Sequence, residues 1–87
     1  MYAAYRVFIN TTQGNYFAAA SNSVNGLADL VRAYFESPTG RAIYDDQIRG
    51  VTIMNLDRGT GNYVRSGQAT ATSRQDLINK LYELGAR

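Results

Sequence analysis

Alternating apolar and polar residues predict a β-hairpin near the start of the chain. Residues 5–10 alternate in the way of a strand with one buried face. Residues 11–15 are predicted to form the turn, in which Gly14 is free to adopt a positive φ angle. Residues 16–21 then have the pattern of a return strand.

A helix is predicted after this hairpin. Apolar residues recur at intervals of three and four between positions 24 and 35, which is the spacing of one buried helix face. Asn22 or Ser23 is placed to cap its start. Pro38 disfavours helical backbone in the residue before it, so the helix should end near Ser37.

The same order of elements recurs after a connector at residues 38–47. Residues 48–56 predict a strand and residues 57–62 a longer turn. Residues 63–70 predict a weaker strand that is poor in apolar side chains and suits the edge of a sheet.

A second amphipathic helix is predicted at the end of the sequence. Ser73 and Asp76 have the spacing of a capping box, although aspartate takes the place of the usual glutamate. Leucine and isoleucine form one apolar stripe between positions 77 and 84, and Gly85 is placed to end the helix.

The two parts of the chain also share residues at an offset of 47 positions. Six identities fall within 23 aligned positions without a gap. The identical pairs are Gly14 and Gly61, Asn15 and Asn62, Tyr16 and Tyr63, Asp29 and Asp76, Leu30 and Leu77, and Glu36 and Glu83. Such self-similarity predicts an internal duplication, with halves at about 1–37 and 48–87.

These elements predict a single α+β domain over residues 1–87, in the order ββα-ββα. Each helix has one apolar stripe, so we expect two helices on one face of a four-stranded antiparallel sheet. Strand orders 2-1-3-4 and 1-2-4-3 both respect the repeat. The plan is similar at the level of fold to small ferredoxin-like αβ sandwiches, which carry many functions.

Strand parity predicts the side chains on the uncovered face of this sheet. The inward residues are expected to be Val7, Ile9, Phe17, Val51, Ile53 and Val64. The partner-binding residues predicted on the outward side are Arg6, Phe8, Tyr16, Met54, Tyr63 and Arg65. A slip of one residue would reverse the faces of a strand and move its tyrosine into the core.

The composition excludes most catalytic chemistry. The chain has no histidine and no cysteine, which removes nucleophile–histidine catalysis and nearly all zinc sites. Asp45-Asp46 is the only adjacent carboxylate pair and is expected in a solvated turn. Residues 57–61 are rich in glycine but lack the lysine and the following helix of a phosphate loop. We therefore predict a protein that is not an enzyme and has no metal or cofactor site.

Charge and hydropathy limit the partners and the location. The net charge is +2, from eight arginines, one lysine and seven carboxylates, and this excess alone is too small to mark a DNA-binding protein. No apolar run reaches the roughly 18 residues of a membrane span, and the helices are not basic. Without a signal-peptide pattern or cysteine, the protein is expected in the cytoplasm, that of the host if it is viral.

Together these features favour a small non-enzymatic interaction protein that binds a larger protein through the open sheet face or an edge strand. Aromatic and arginine side chains are enriched where proteins bind one another. In its short length, its lack of cysteine and histidine, and its predicted sheet and helices, the chain is similar to small phage-encoded inhibitors of host machinery, including anti-CRISPR proteins. Two alternatives use the same face, namely a single-stranded nucleic-acid binder and a self-assembling homodimer.

Overall fold

The computed structural model describes residues 2–86 as a four-stranded antiparallel sheet with three α-helices. The strands are β1 (Tyr5–Thr11), β2 (Gly14–Ser21), β3 (Ile48–Asp57) and β4 (Asn62–Thr70), and the helices are α1 (Leu27–Glu36), α2 (Pro38–Arg41) and α3 (Arg74–Glu83). A 3₁₀ turn, Asp45–Gln47, precedes β3. The α+β class predicted from the sequence is confirmed.

The strands lie in the order β2-β1-β3-β4, one of the two orders that the sequence left open. β1 and β3 pair at the centre and join the two hairpins, while β2 and β4 form the edges. A β-bulge interrupts each hairpin, between Val7 and Phe8 in the first and between Ile53 and Met54 in the second. Counted from its turn, each bulge follows the fourth residue pair, so the hairpins match in geometry.

One hydrophobic core joins the sheet to the helices. It contains the four central-strand residues that parity placed inward, together with buried side chains from β2, α1 and α3. The largest fully buried side chains are Val7, Ile9, Leu27, Val31, Ile48, Val51, Leu77 and Leu81. Burial of each of these side chains stabilises the folded state by about 1.5–3 kcal/mol relative to leaving it exposed. These residues therefore dominate the stability of the fold.

The predicted phase of β2 is wrong. Its turn holds two residues rather than five, which places Phe17 opposite Phe8 and Tyr16 opposite the inward Ile9. Phe17 therefore remains 54 % exposed, whereas Tyr16 packs against the core. Burial raises the pKa of the Tyr34 phenol above its usual value, and the nearby Tyr16 phenol raises it further, which agrees with Tyr16 facing α1.

Val64, which like Phe17 was expected to point inward, also lies outside the core. It pairs with Asn55 close to the turn of the second hairpin and is 48 % exposed. In β4 the partly buried Ala69 packs against the core at the other end of the strand. The apolar side chains of an edge strand near its turn thus have little to pack against.

Identical residues of the sequence repeat occupy unlike environments in two of the pairs. Tyr16 packs on the core side of the sheet, whereas Tyr63 pairs with Leu56 on the other side. Leu30 is 43 % exposed, whereas Leu77 is fully buried. An alignment of the two hairpins on their bulges does not pair the residues that are identical in the sequence repeat. The internal duplication therefore stays a prediction.

The ends of the helices show how local sequence sets their limits. α1 begins at Leu27, three residues later than the predicted stripe. At the start of α3, Ser73 Oγ accepts a hydrogen bond from the N–H of Asp76 at 3.0 Å, and Asp76 Oδ2 accepts one from the N–H of Thr72 at 3.0 Å. After α3, Gly85 has a φ angle of +86°, the left-handed conformation that ends many helices.

The connector contains a short helix and a 3₁₀ turn. Pro38 occupies the first turn of α2, where its missing N–H costs no hydrogen bond. Ser37 Oγ accepts a hydrogen bond from the N–H of Gly40 at 3.2 Å and so caps this short helix. A change of direction at Ser37 therefore separates α1 from α2 without a disordered link.

Arg74 holds the connector against α3. Its guanidinium donates hydrogen bonds to the carbonyl oxygens of Arg41 and Ile43, at 2.9 and 2.8 Å, and lies 5.6 Å from the centre of the Phe35 ring. The backbone N–H of Arg74 donates to Asp45 Oδ1 at 2.9 Å. Asp45, expected in a solvated turn, thus satisfies one of the free N–H groups at the start of α3.

Replacing Gly40 with alanine is expected to destabilise the fold by about 1–3 kcal/mol through overpacking. A Cβ atom at residue 40 would lie 2.7 Å from Phe35 Cα and closer still to the carbonyl group of Tyr34. Because these atoms belong to the backbone of α1, the helices have to separate. Alanine is the better helix former, so a loss of stability in urea unfolding isolates the clash.

Gly67→Ala is the matched control for this substitution. Its Cβ atom would meet Leu84 at 3.6 Å, which is ordinary van der Waals contact. Its free energy of unfolding should stay within about 0.5 kcal/mol of the wild-type value. Equal stability of the two variants would show that α1 and α2 do not pack as closely as described.

Candidate partner-binding surface

Side chains that point away from the core form a second face of the sheet. Cross-strand partners share one side of a sheet, so the strand register gives the members of this face. We call it the exposed sheet face, and it consists of Arg6, Phe8, Asn10, Asn15, Phe17, Ala20, Gly50, Thr52, Met54, Leu56, Tyr63, Arg65, Gln68 and Thr70. Five of the six predicted partner-binding residues lie here, and the sixth, Tyr16, lies on the core side.

One end of the exposed sheet face is aromatic. The Phe8 and Phe17 rings pack with their centroids 5.5 Å apart and their planes tilted by 32°, a favourable separation for aromatic pairs. The Arg6 guanidinium lies 4.0 Å from the centre of the Tyr63 ring and 5.8 Å from that of Phe17. Arg6 thus links the aromatic groups by cation–π contacts. The Tyr63 hydroxyl donates a hydrogen bond to the carbonyl of Ala3, which fixes the ring.

The other end of the face carries amide and hydroxyl groups. Asn10 Nδ2 donates to Asn15 Oδ1 at 3.0 Å, and Thr52 Oγ1 donates to Asn10 Oδ1 at 3.2 Å. Arg65 Nη1 donates to Gln68 Oε1 at 2.7 Å. A shallow hollow of about 730 Å³ extends over these groups. Each side chain keeps further donors or acceptors for a ligand, because an amide has more hydrogen-bonding positions than these contacts use.

A smaller hollow of about 270 Å³ lies where the two ends meet. It is lined by Phe8, Asn15, Thr52 and Met54. The ring and the thioether supply apolar surface, while the amide and the hydroxyl supply polar atoms. Such a hollow suits a flat or apolar group that has a polar edge.

Charge is distributed unevenly between the faces of the protein. The acidic residues of the chain lie in α1, the 3₁₀ turn, the end of β3 and α3: Asp29, Glu36, Asp45, Asp46, Asp57, Asp76 and Glu83. Arg6 and Arg65 belong to the exposed sheet face, and Arg49 lines the larger hollow. No carboxylate is a member of this face within residues 2–86. Its local charge is positive although the net charge of the chain is only +2.

Phe17 is the aromatic residue of this surface that the sequence did not predict. The signal was present in the turn, where Thr11 Oγ1 accepts a hydrogen bond from the N–H of Gln13 at 3.0 Å and donates one to the carbonyl of Gly14 at 2.8 Å. Threonine favours such tight local turns. Counting the register from a two-residue turn would have placed Phe17 outward and Tyr16 inward.

Comparison with known proteins adds no family to these observations. No family model, curated protein or solved structure matches the chain. Among residues 2–86, no group of three or more His, Cys, Asp or Glu side chains is placed to hold a metal ion. None of the helices in that range is long and apolar enough to cross a membrane.

Proposed function

We propose that the chain is a small non-enzymatic interaction protein that binds a macromolecular partner through the exposed sheet face. We infer that α1 and α3 cover the opposite face, because their buried side chains share one core with the inward residues of β1 and β3. The observation that carries the proposal is the aromatic and arginine cluster around Phe17, a large apolar side chain that the core leaves 54 % exposed.

The cluster has the composition and the order of a binding site. Aromatic and arginine side chains supply much of the binding energy at protein interfaces once a partner excludes water from them. Phe8, Phe17, Arg6 and Tyr63 already contact one another. Because their rotamers are restrained beforehand, binding costs less side-chain entropy than on a mobile surface.

A larger protein is the partner that the low net charge and the near absence of lysine favour. A phage-type inhibitor of host machinery, or a homodimer that pairs two copies of the face, would use the same surface. Single-stranded nucleic acid is the candidate that the charge of the surface itself favours, because the face carries arginine but no carboxylate within the described residues. All of these partners require the aromatic cluster.

Phe17→Ala is expected to reduce capture of the partner by about tenfold or more, the effect of removing an interface hot spot. The same change should lower the free energy of unfolding by no more than about 1.5 kcal/mol, because the exposed Phe17 ring stabilises the fold chiefly by packing on the Phe8 ring. Retention from a lysate of the native host, with and without nuclease, measures capture by the immobilised protein. Thermal unfolding measures stability.

Tyr44→Ala is the control, since Tyr44 is 64 % exposed but lies in the connector, away from the exposed sheet face. This variant should capture as much partner as the wild type. If both variants capture equally, or if both lose capture to the same degree, the exposed sheet face is not the binding surface.

A further inference from the structure

We propose that the exposed sheet face binds single-stranded nucleic acid; this inference rests on the proposed function and names the class of partner. The first ground is electrostatic. A phosphate backbone approaching this face meets Arg6 and Arg65, with Arg49 at the rim of the larger hollow. The carboxylates that reduce the net charge are not members of this face within the described residues, so the face keeps a local positive charge.

The second ground is the presence of stacking surfaces. Bases of single strands stack on aromatic rings and on the guanidinium planes of arginine, and this interaction tolerates any base. The Phe17 ring is 54 % exposed, and the Arg6 guanidinium lies against Tyr63, which holds it in place. A duplex buries the faces of its bases, so these groups favour unpaired strands.

The third ground is the supply of groups that read base edges. Asn10, Asn15 and Gln68 present amides beside the stacking end, and Thr52 adds a hydroxyl. Amide side chains match the donor and acceptor pattern of base edges. The smaller hollow offers apolar surface from Phe8 and Met54 for the ring of a base, and polar atoms from Asn15 and Thr52 for its edge.

Binding of fluorescein-labelled oligouridine and oligodeoxythymidine, followed by fluorescence anisotropy, tests this proposal. A length of about 12 nucleotides suits the site sizes of small single-strand binders. We expect both single strands to bind more tightly than a duplex of equal length. If Arg6 and Arg65 each neutralise one phosphate, the plot of log K against log salt has a slope of about −1.4.

Two variants separate stacking from charge. Phe17→Ala should weaken binding by about 5- to 150-fold, the usual loss for one stacked base, with the salt slope unchanged. Arg65→Gln should weaken binding and reduce the magnitude of the slope by about 0.7. Tyr44→Ala and Arg41→Gln change an exposed tyrosine and an exposed arginine of the connector, and both should bind as the wild type does.

The proposal is overturned if neither single strand binds at micromolar protein and low salt, or if binding is indifferent to both Phe17→Ala and Arg65→Gln. Tighter binding of the duplex would also overturn it. If the oligonucleotides fail but capture from the lysate resists nuclease and still depends on Phe17, the partner is a protein. That result would leave the proposed function intact and remove only the inference about nucleic acid.

Discussion

Leu27→Ala is expected to lower the free energy of unfolding by about 2–5 kcal/mol, the range for removing a buried leucine side chain. Leu27 is fully buried at the start of α1 and belongs to the core shared with the sheet. The loss combines the transfer of apolar atoms with the cavity they leave. An 87-residue chain has a total stability of about 4–13 kcal/mol, so this single substitution removes a large share of it.

Leu30→Ala provides a matched control on the same helix. Leu30 is 43 % exposed, so its truncation removes few contacts, and leucine and alanine are both good helix formers. Urea unfolding and thermal melts compare the two variants, and each kcal/mol corresponds to about 4–8 °C in a domain of this size. Similar losses at both positions would mean that α1 packs on the sheet with a different face.

Arg74→Met is expected to reduce stability by about 1.5–3 kcal/mol, the usual contribution of hydrogen bonds from a charged donor. The variant keeps most of the apolar stem over Phe35 but leaves the carbonyl oxygens of Arg41 and Ile43 without their donor. The connector should then exchange its amide hydrogens faster, because fewer bonds hold it to α3. Hydrogen exchange and urea unfolding measure the two effects.

Arg58→Met serves as the control, since Arg58 is an exposed arginine in the turn between β3 and β4. Its free energy of unfolding should stay within about 0.5 kcal/mol of the wild-type value. A loss at Arg74 that does not exceed this control, or unchanged hydrogen exchange in the connector, would show that Arg74 contributes little to holding the connector in place.

The sequence predicted the elements whose pattern is local and strong. Alternation in β1 and β3 identified the inward residues, and the apolar stripes identified α1 and α3. Ser73 and Gly85 marked the limits of α3, because capping chemistry depends on a few neighbouring residues. The bond between Arg74 and the connector was not predicted, since it joins elements more than 30 positions apart in the chain.

The sequence predicted the exposed surface correctly only where it predicted the strand register correctly. In the second hairpin the assigned turn was one residue too long at each end, which leaves Leu56 opposite Tyr63 as in the structure, so Tyr63 and Arg65 were placed on the outward side. In the first hairpin the assigned turn was three residues too long, which exchanged Tyr16 and Phe17. A substitution of Tyr16 would therefore have tested packing against α1 rather than binding.

The central place of β1 in the sheet also has a consequence for synthesis on the ribosome. β1 emerges before β3, one of its two neighbours, which begins only at Ile48. Until then the N–H and C=O groups of β1 that pair with β3 have no partner strand. An isolated hairpin is only marginally stable in water. The nascent chain thus gains little stability from folding one hairpin at a time. Both hairpins must be available before either is stable.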